Sequence, residues 1–199
     1  MNPKNIHPVN DLLLRREDKE ILTGQKGKVF WFYGLSGSGK STLAIQLEKK
    51  LHLAKIHSLV LDGDNLRSSL NKDLGFSDTD REENIRRVSD VAKILSENGL
   101  LVIASLITPK QKFREMAQSI IGKDSFRDIF IKASFQKCKD RDVKGLYEKA
   151  NAGEIKDFTG KGSNFEEPEC PWLTINTENE EPEESVKKIF DSILKEIKL

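Results

Sequence analysis

The stretch from Phe30 to Thr42, F-W-F-Y-G-L-S-G-S-G-K-S-T, constrains this chain more than any other segment. Gly34 to Ser41 fit the pattern G-x-x-x-x-G-K-[ST] at every required position. A β-type run, Val29 to Tyr33, precedes it, and a helix-type run, Leu43 to Leu51, follows. A glycine-rich turn in that context aims backbone N–H groups at a polyphosphate on a helix N-terminus. The nucleotide-binding loop then comprises Gly34, Leu35, Ser36, Gly37, Ser38, Gly39, Lys40, Ser41 and Thr42. Lys40 is placed to reach the β- and γ-phosphates, and the Ser41 hydroxyl to sit on Mg²⁺. The alternative is a strand–helix turn with no ligand, but composition alone rarely supplies every position after a strand. The segment therefore points to a protein that handles a nucleoside triphosphate.

The 199 residues suit one domain with one core. A formal net charge of +1 provides no broad field for nucleic acid or an anionic membrane. No apolar run approaches the roughly 18 residues of a membrane span. Met1 to Glu20 is polar and lacks the apolar centre of a secretion signal. Cys138 and Cys170 stand alone without C-x-x-C spacing, which fits a reducing cytoplasm. His7, His52 and His57 have no ligand spacing with them, so no structural zinc is expected.

Strand-like runs occur at Val29–Tyr33, His57–Leu61, Leu101–Ser105, Ile129–Lys132 and Leu173–Ile175. Helical patterns lie at Ser41–Leu51, Asp80–Asn98, Lys110–Ile121, Phe135–Asp140 and Glu184–Ile197. This alternation predicts an α/β fold, a parallel sheet of five strands with helices on both faces. Ligands in such sheets bind beyond the C-terminal strand ends. Residues 1–27 form an N-terminal arm, packed on the sheet or a partner, or else a loose tail; residues 28–199 form the domain. Asp142 to Glu169 is irregular and glycine-bearing, which reads as a lid or as a plain mobile loop.

After the second strand comes L-D-G-D-N-L-R, Leu61 to Arg67. Two acids at a strand end beside a phosphate loop can position Mg²⁺ or take a proton from an attacking hydroxyl. Asp62 can equally be a helix N-cap, while Asp64 lies further into the cleft. Phe76, in a polar turn, can stack on a base or serve as a hydrophobic staple. Arg81, Arg86 and Arg87 gather near a helix N-terminus, the wrong end for cations by the helix dipole. Either a bound anion explains them or they belong to a solvated face with Glu82 and Glu83.

G-L-S-G-S-G-K-S-T, L-D-G-D-N-L-R, L-N-K-D-L-G-F-S, D-R-E-E-N-I-R-R, R-D-V-K-G-L-Y and A-G-E-I-K-D-F-T-G occur in that order. Together they resemble the adenylylsulfate kinases (APS kinases) over nearly the whole chain. The resemblance implies a P-loop kinase with a lid, transferring the γ-phosphoryl group of MgATP to the 3′-hydroxyl of adenosine 5′-phosphosulfate (APS). The products are 3′-phosphoadenosine 5′-phosphosulfate (PAPS) and ADP, in sulfate assimilation. By position, it implies that Phe76 and Phe158 sandwich the acceptor adenine and that Asn65, Arg67, Arg81 and Asn84 bind its ribose and phosphosulfate. Ile107 and Thr108 then line the acceptor pocket, and Lys144 reaches it from the lid. Asp64 and Lys40 are the catalytic pair, Ser41 and Asp62 hold Mg²⁺, and Arg141, Asn176 and Thr177 flank the ATP base. A cytoplasmic homodimer is expected, with no fused sulfurylase.

Four places depart from the usual family pattern. Thr108 stands for a serine, Asn151 for a lid arginine, Asp157 for a glycine, and Ser134-Phe135 for Ala-Pro. Lys149, Lys156 and Lys161 are candidates to supply the charge that Asn151 lacks. The departures keep two further readings open: a related kinase with another nucleotide acceptor, and a nucleotide-binding protein that has lost catalysis.

Overall fold

The computed structural model describes residues 7–142, 144–153, 159 and 165–199. Five parallel strands form one sheet: β1 (Lys28–Tyr33), β2 (Ser58–Asp62), β3 (Leu101–Ser105), β4 (Phe126–Lys132) and β5 (Leu173–Asn176). Their order is β2-β3-β1-β4-β5, with every pairing parallel. Strand β1 is central because both of its faces are apolar. Val29, Trp31 and Tyr33 face one layer and Phe30 and Phe32 the other, all fully buried. A strand covered on both faces carries a continuous hydrophobic run instead of an alternating one.

The helices cover the two faces. α2 (Lys40–Leu53) and α8 (Pro182–Glu196) bury Leu43, Leu47, Leu51, Val186, Ile189 and Ile193 against Phe30 and Phe32. α4 (Asp78–Ser96) and α5 (Gln111–Ile121) bury Ile85, Val88, Phe113 and Ala117 against Trp31. Ser77 caps α4 by accepting the Asp80 N–H at 3.2 Å. Gly99, at φ +79°, closes its far end, where the Leu100 N–H reaches the Leu95 carbonyl at 3.3 Å.

Short elements appear where sequence periodicity predicts none. α1 (Arg16–Thr23) packs under the N-terminal end of the sheet. There the Arg16 guanidinium donates to the Glu20 carboxylate at 2.7 Å and to the Ser125 hydroxyl at 2.6 Å. Buried Gln25 bridges the carbonyls of His57 and Gly99. α3 (Gly63–Arg67) is one turn after β2, and α7 (Leu146–Asn151) lies inside the expected lid, whereas α6 (Phe135–Arg141) falls where the helical pattern Phe135–Asp140 predicts it. α7 forms because the Asp142 carboxylate accepts the Tyr147 and Glu148 N–H groups at 3.1 Å. Such stretches are too short for an apolar period, so capping and tertiary contacts decide them. Cys138 and Cys170 are both free. Among the described residues no helix is long and apolar enough to cross a membrane.

Candidate active site

The sheet order reverses at β1, which opens a crevice beyond its C-terminal end. The loop leaving β1 needs glycine at close approaches. A Cβ on Gly34 would lie 2.3 Å from the Ile131 carbonyl oxygen, and one on Gly37 would lie 2.8 Å from that of Cys138. Side chains then hold the loop's carbonyls from outside. Tyr147 donates to Ser36 O at 2.8 Å, Arg141 to Gly37 O at 3.3 Å, and Thr177 to Ser38 O at 2.9 Å. Lys40 Nζ donates to Gly34 O at 3.0 Å and Leu35 O at 2.6 Å. With its carbonyls committed, the loop offers its amides to an anion. Burial pulls the Lys40 pKa down to about 8, and the Lys144 charge adds to this, while Cys138, Asp62 and Asp64 oppose it.

Asp62 ends β2 and satisfies two demands at once. One carboxylate oxygen accepts the Asp64 N–H at 3.0 Å, capping α3, and the other accepts the Ser41 hydroxyl at 2.7 Å. The N-cap and the phosphate-loop partner are therefore the same group. A hydroxyl and a carboxylate side by side suit a hard divalent cation. Among the described residues no group of three or more His, Cys, Asp or Glu forms a metal cage. Mg²⁺ normally keeps several waters and takes one or two carboxylates plus phosphate oxygens, so the donor set fits it.

A single cavity of about 890 Å³ runs from the phosphate loop, past Asp64, to a basic pocket lined by Arg67, Phe76, Arg81 and Asn84. Its volume lies near the top of the range of about 300–1,000 Å³ for small-molecule sites. Arg67 donates to Gly75 O at 2.7 Å, and its guanidinium sits 4.6 Å from the centre of the exposed Phe76 ring. Burial, and then the charge of Arg81, lowers the Arg67 pKa. Two guanidinium groups that disfavour each other in a cleft fit an anion between them. Arg81 donates to Thr159 at 3.0 Å, and Asn71 fixes the Asn84 amide by donating to its oxygen at 3.0 Å. The Lys144 ammonium forms an ion pair with the Asp64 carboxylate.

The comparisons with known proteins agree with one another. The family model described as adenylylsulphate kinase matches residues 26–176. The chain belongs to the adenylylsulphate kinase family. The adenylyl-sulfate kinase of Bacteroides thetaiotaomicron is 50% identical over 198 residues, 99% of this chain and 98% of that protein. A solved APS kinase of Mycobacterium tuberculosis, in complex with AMPPNP and APS, matches with a TM-score of 0.81 and 44% identity, over 84% of this chain and 98% of that one. The hexameric APS kinase of Thiobacillus denitrificans matches with a TM-score of 0.64 and 28% identity, over 87% of this chain and 30% of that one.

In this adenylylsulphate kinase family member, the one cavity gathers many of the residues singled out from sequence. Ser36, Gly37, Gly39, Lys40, Ser41, Thr42, Arg141 and Thr177 line its loop end. Asp62, Asp64, Arg67, Phe76, Arg81, Asn84, Ile107, Thr108 and Lys144 line the rest. Gly34, Leu35, Ser38, Asn65 and Asn176 are not on its wall. The Asn65 carbonyl accepts Ser68 and Ser69 hydroxyls, and the Asn176 side chain accepts the Glu178 N–H at 3.2 Å. Phe158, Lys156, Asp157, Lys161 and the side chain of Asn151 lie outside the described residues. Phe76 is 60% exposed and joins none of the apolar clusters, so it is no staple. Arg86 and Arg87 follow the solvated-face reading: Arg86 pairs with Glu83 and Asp90, and Arg87 with Glu83 and Asp73.

Thr108 is a wall element. It takes φ +42°, is 2% exposed, and its hydroxyl accepts the buried Trp31 indole N–H at 2.9 Å. Arg114 locks the same residue by donating to its carbonyl at 3.1 Å. Tyr147 and Thr159 escaped the sequence reading as site residues. Tyr147 stands in the quoted R-D-V-K-G-L-Y segment and Thr159 in the quoted A-G-E-I-K-D-F-T-G segment, so both lay within a visible signal.

Proposed function

We propose that this chain transfers the γ-phosphoryl group of ATP to the 3′-hydroxyl of APS, giving PAPS and ADP, in sulfate assimilation. The carrying observation is the single continuous cavity with a phosphate loop at one end, a paired-arginine pocket at the other, and Asp64 between them. A kinase for two nucleotides needs that layout, because phosphoryl transfer depends on alignment and charge neutralisation. The M. tuberculosis APS kinase solved with AMPPNP and APS supports this choice of ligands.

In this reading the loop amides and Lys40 hold the β- and γ-phosphates. To do so, the Lys40 ammonium leaves the carbonyls of Gly34 and Leu35 for the phosphate oxygens. Ser41 and Asp62 would hold Mg²⁺, which when bound neutralises and orients the phosphates. Arg141 and Thr177 flank the ATP base. Phe76, with Phe158, stacks on the acceptor base, while Arg67, Arg81 and Asn84 bind its sugar and anionic tail. Stacking on an exposed ring fits a site completed only by ligand. Asp64 orients or deprotonates the 3′-hydroxyl, and its carboxylate must first exchange Lys144 for that hydroxyl. The segment at about 142–169 serves as the lid that keeps water from the reaction.

The direct test is an ADP-release assay dependent on APS, with the product identified by mass. ADP and PAPS in equal amounts are expected. No turnover with APS, alongside turnover with another nucleotide, would reassign the acceptor. We further propose a cytoplasmic homodimer, supported by the two free thiols and family likeness. Light scattering gives the assembly mass directly, and a hexameric mass would overturn the dimer.

A further inference from the structure

Ser105, at the C-terminal end of β3, has no role in the site described above. It is 3% exposed, lines the cavity, and its hydroxyl has no hydrogen-bond partner among the described residues. A buried polar group left unsatisfied costs about 1–3 kcal/mol, so proteins seldom keep one without a reason. Among the described residues two other buried side-chain atoms share this state, Ser38 Oγ and Asn71 Oδ1. Neither Ser38 nor Asn71 lines the cavity.

The register of the sheet says where the Ser105 side chain points. Asp62 of β2 and Phe32 of β1 are its direct partners. Partners in register on parallel strands project to the same face, and successive residues alternate. Leu101 and Ile103 pack with Phe32 against α2 and α8. Ser105 therefore projects to that face, as does Asp62, and there α2 begins with Lys40 and Ser41. The Ser41 hydroxyl is already 2.7 Å from the Asp62 carboxylate. Three oxygen-bearing side chains thus share one corner of the cavity, and only that of Ser105 lacks a partner.

We propose that Ser105 is a positioning residue whose hydroxyl oxygen accepts a hydrogen bond from a water on the Mg²⁺ held by Ser41 and Asp62. The inference rests on the magnesium reading of the site. Mg²⁺ dehydrates reluctantly and keeps several waters, so a neutral hydroxyl one strand away from the carboxylate meets the ion through water. Outer-shell partners of this kind fix the orientation of what the metal binds, and their loss typically lowers metal affinity about 10–100-fold.

The test uses the intact protein with AMPPNP and Mn²⁺, titrated by electron paramagnetic resonance. Ser105→Ala is expected to weaken Mn²⁺ binding in the nucleotide complex about tenfold, at the low end because one neutral group is lost. Binding of AMPPNP in excess EDTA should stay within twofold of wild type. Ser105→Cys, which keeps the volume but replaces the hard oxygen, should behave like Ser105→Ala; Ser105→Thr should restore the affinity. Asp62→Asn separates the two claims. If it weakens Mn²⁺ binding while Ser105→Ala does not, the role of Ser105 is overturned and the magnesium site stands. If neither weakens it, both fall. Equal loss in the Ala and Thr variants would mark a packing role and also overturn the proposal.

Discussion

Lys40 makes nucleotide affinity depend on pH in a way the structure sets. Burial holds its pKa at about 8 in the free protein. Bound phosphates favour the ammonium, so the complex keeps it charged well above that value. The apparent dissociation constant for a polyphosphate then scales as 1 + 10^(pH − pKa). From pH 7 to pH 9 this factor rises from about 1.1 to about 11, a tenfold loss or about 1.4 kcal/mol. The ligand contributes little, since a phosphate with a second pKa near 6 is already about nine-tenths ionised at pH 7. Calorimetric titration with AMPPNP and Mg²⁺ at pH 7, 8 and 9 measures the slope. Lys40→Arg supplies the control, because a guanidinium stays charged throughout. A wild-type affinity that is flat across this range, or an equal slope in the Lys40→Arg variant, would refute the assignment of the slope to Lys40.

The same shift has a consequence for stability. The unfolded chain binds more protons than the folded one between the folded pKa of about 8 and the ordinary 10.5, so stability rises with pH across that window. At pH 7 the full burden of the buried charge is present, about 3 kcal/mol for a pKa lowered from 10.5 to about 8. Lys40→Met removes it but also removes two charge-assisted hydrogen bonds of about 1.5–3 kcal/mol each, so the nucleotide-free variant should be unchanged to about 3 kcal/mol less stable in urea unfolding at pH 7. A gain of stability there would show that desolvation outweighs those bonds. Asp64→Asn should lower kcat about 10²–10⁴-fold while leaving AMPPNP affinity unchanged, as removal of a general base does; a near-normal rate would remove Asp64 from the chemistry. Phe76→Ala should raise KM for APS about 5–150-fold, from about 1–3 kcal/mol of stacking, without a matching change for ATP. Equal changes for both substrates would count against stacking.

Much of this site was visible along the chain because its signals are local. The loop from Gly34 to Ser41 is contiguous, and its glycines are required by backbone contacts that any strand–helix turn of this kind makes. The inner strands β1, β3 and β4 announced themselves as apolar runs, since both faces of the sheet are covered there. A further distinction lies in the helical period of α4. Arg81 lies on the helical period of Ile85, Val88 and Ala92, which face the core, whereas Arg86 and Arg87 are off it. That period separates the arginine lining the cavity from the two that pair with Glu83.

The five strands, the longer helices, the phosphate loop and the family were thus determined by sequence, because each rests on patterns a few residues long. Which groups touch was decided only by the folded sheet. Lys144 meets Asp64 across 80 positions, Trp31 meets Thr108 across 77, and Tyr147 meets Ser36 across 111. Ser105 stands beside Asp62 only because β3 lies against β2 in that register. Side-chain partners so distant along the chain follow from strand order and register, and those follow from burying both faces of the sheet at once.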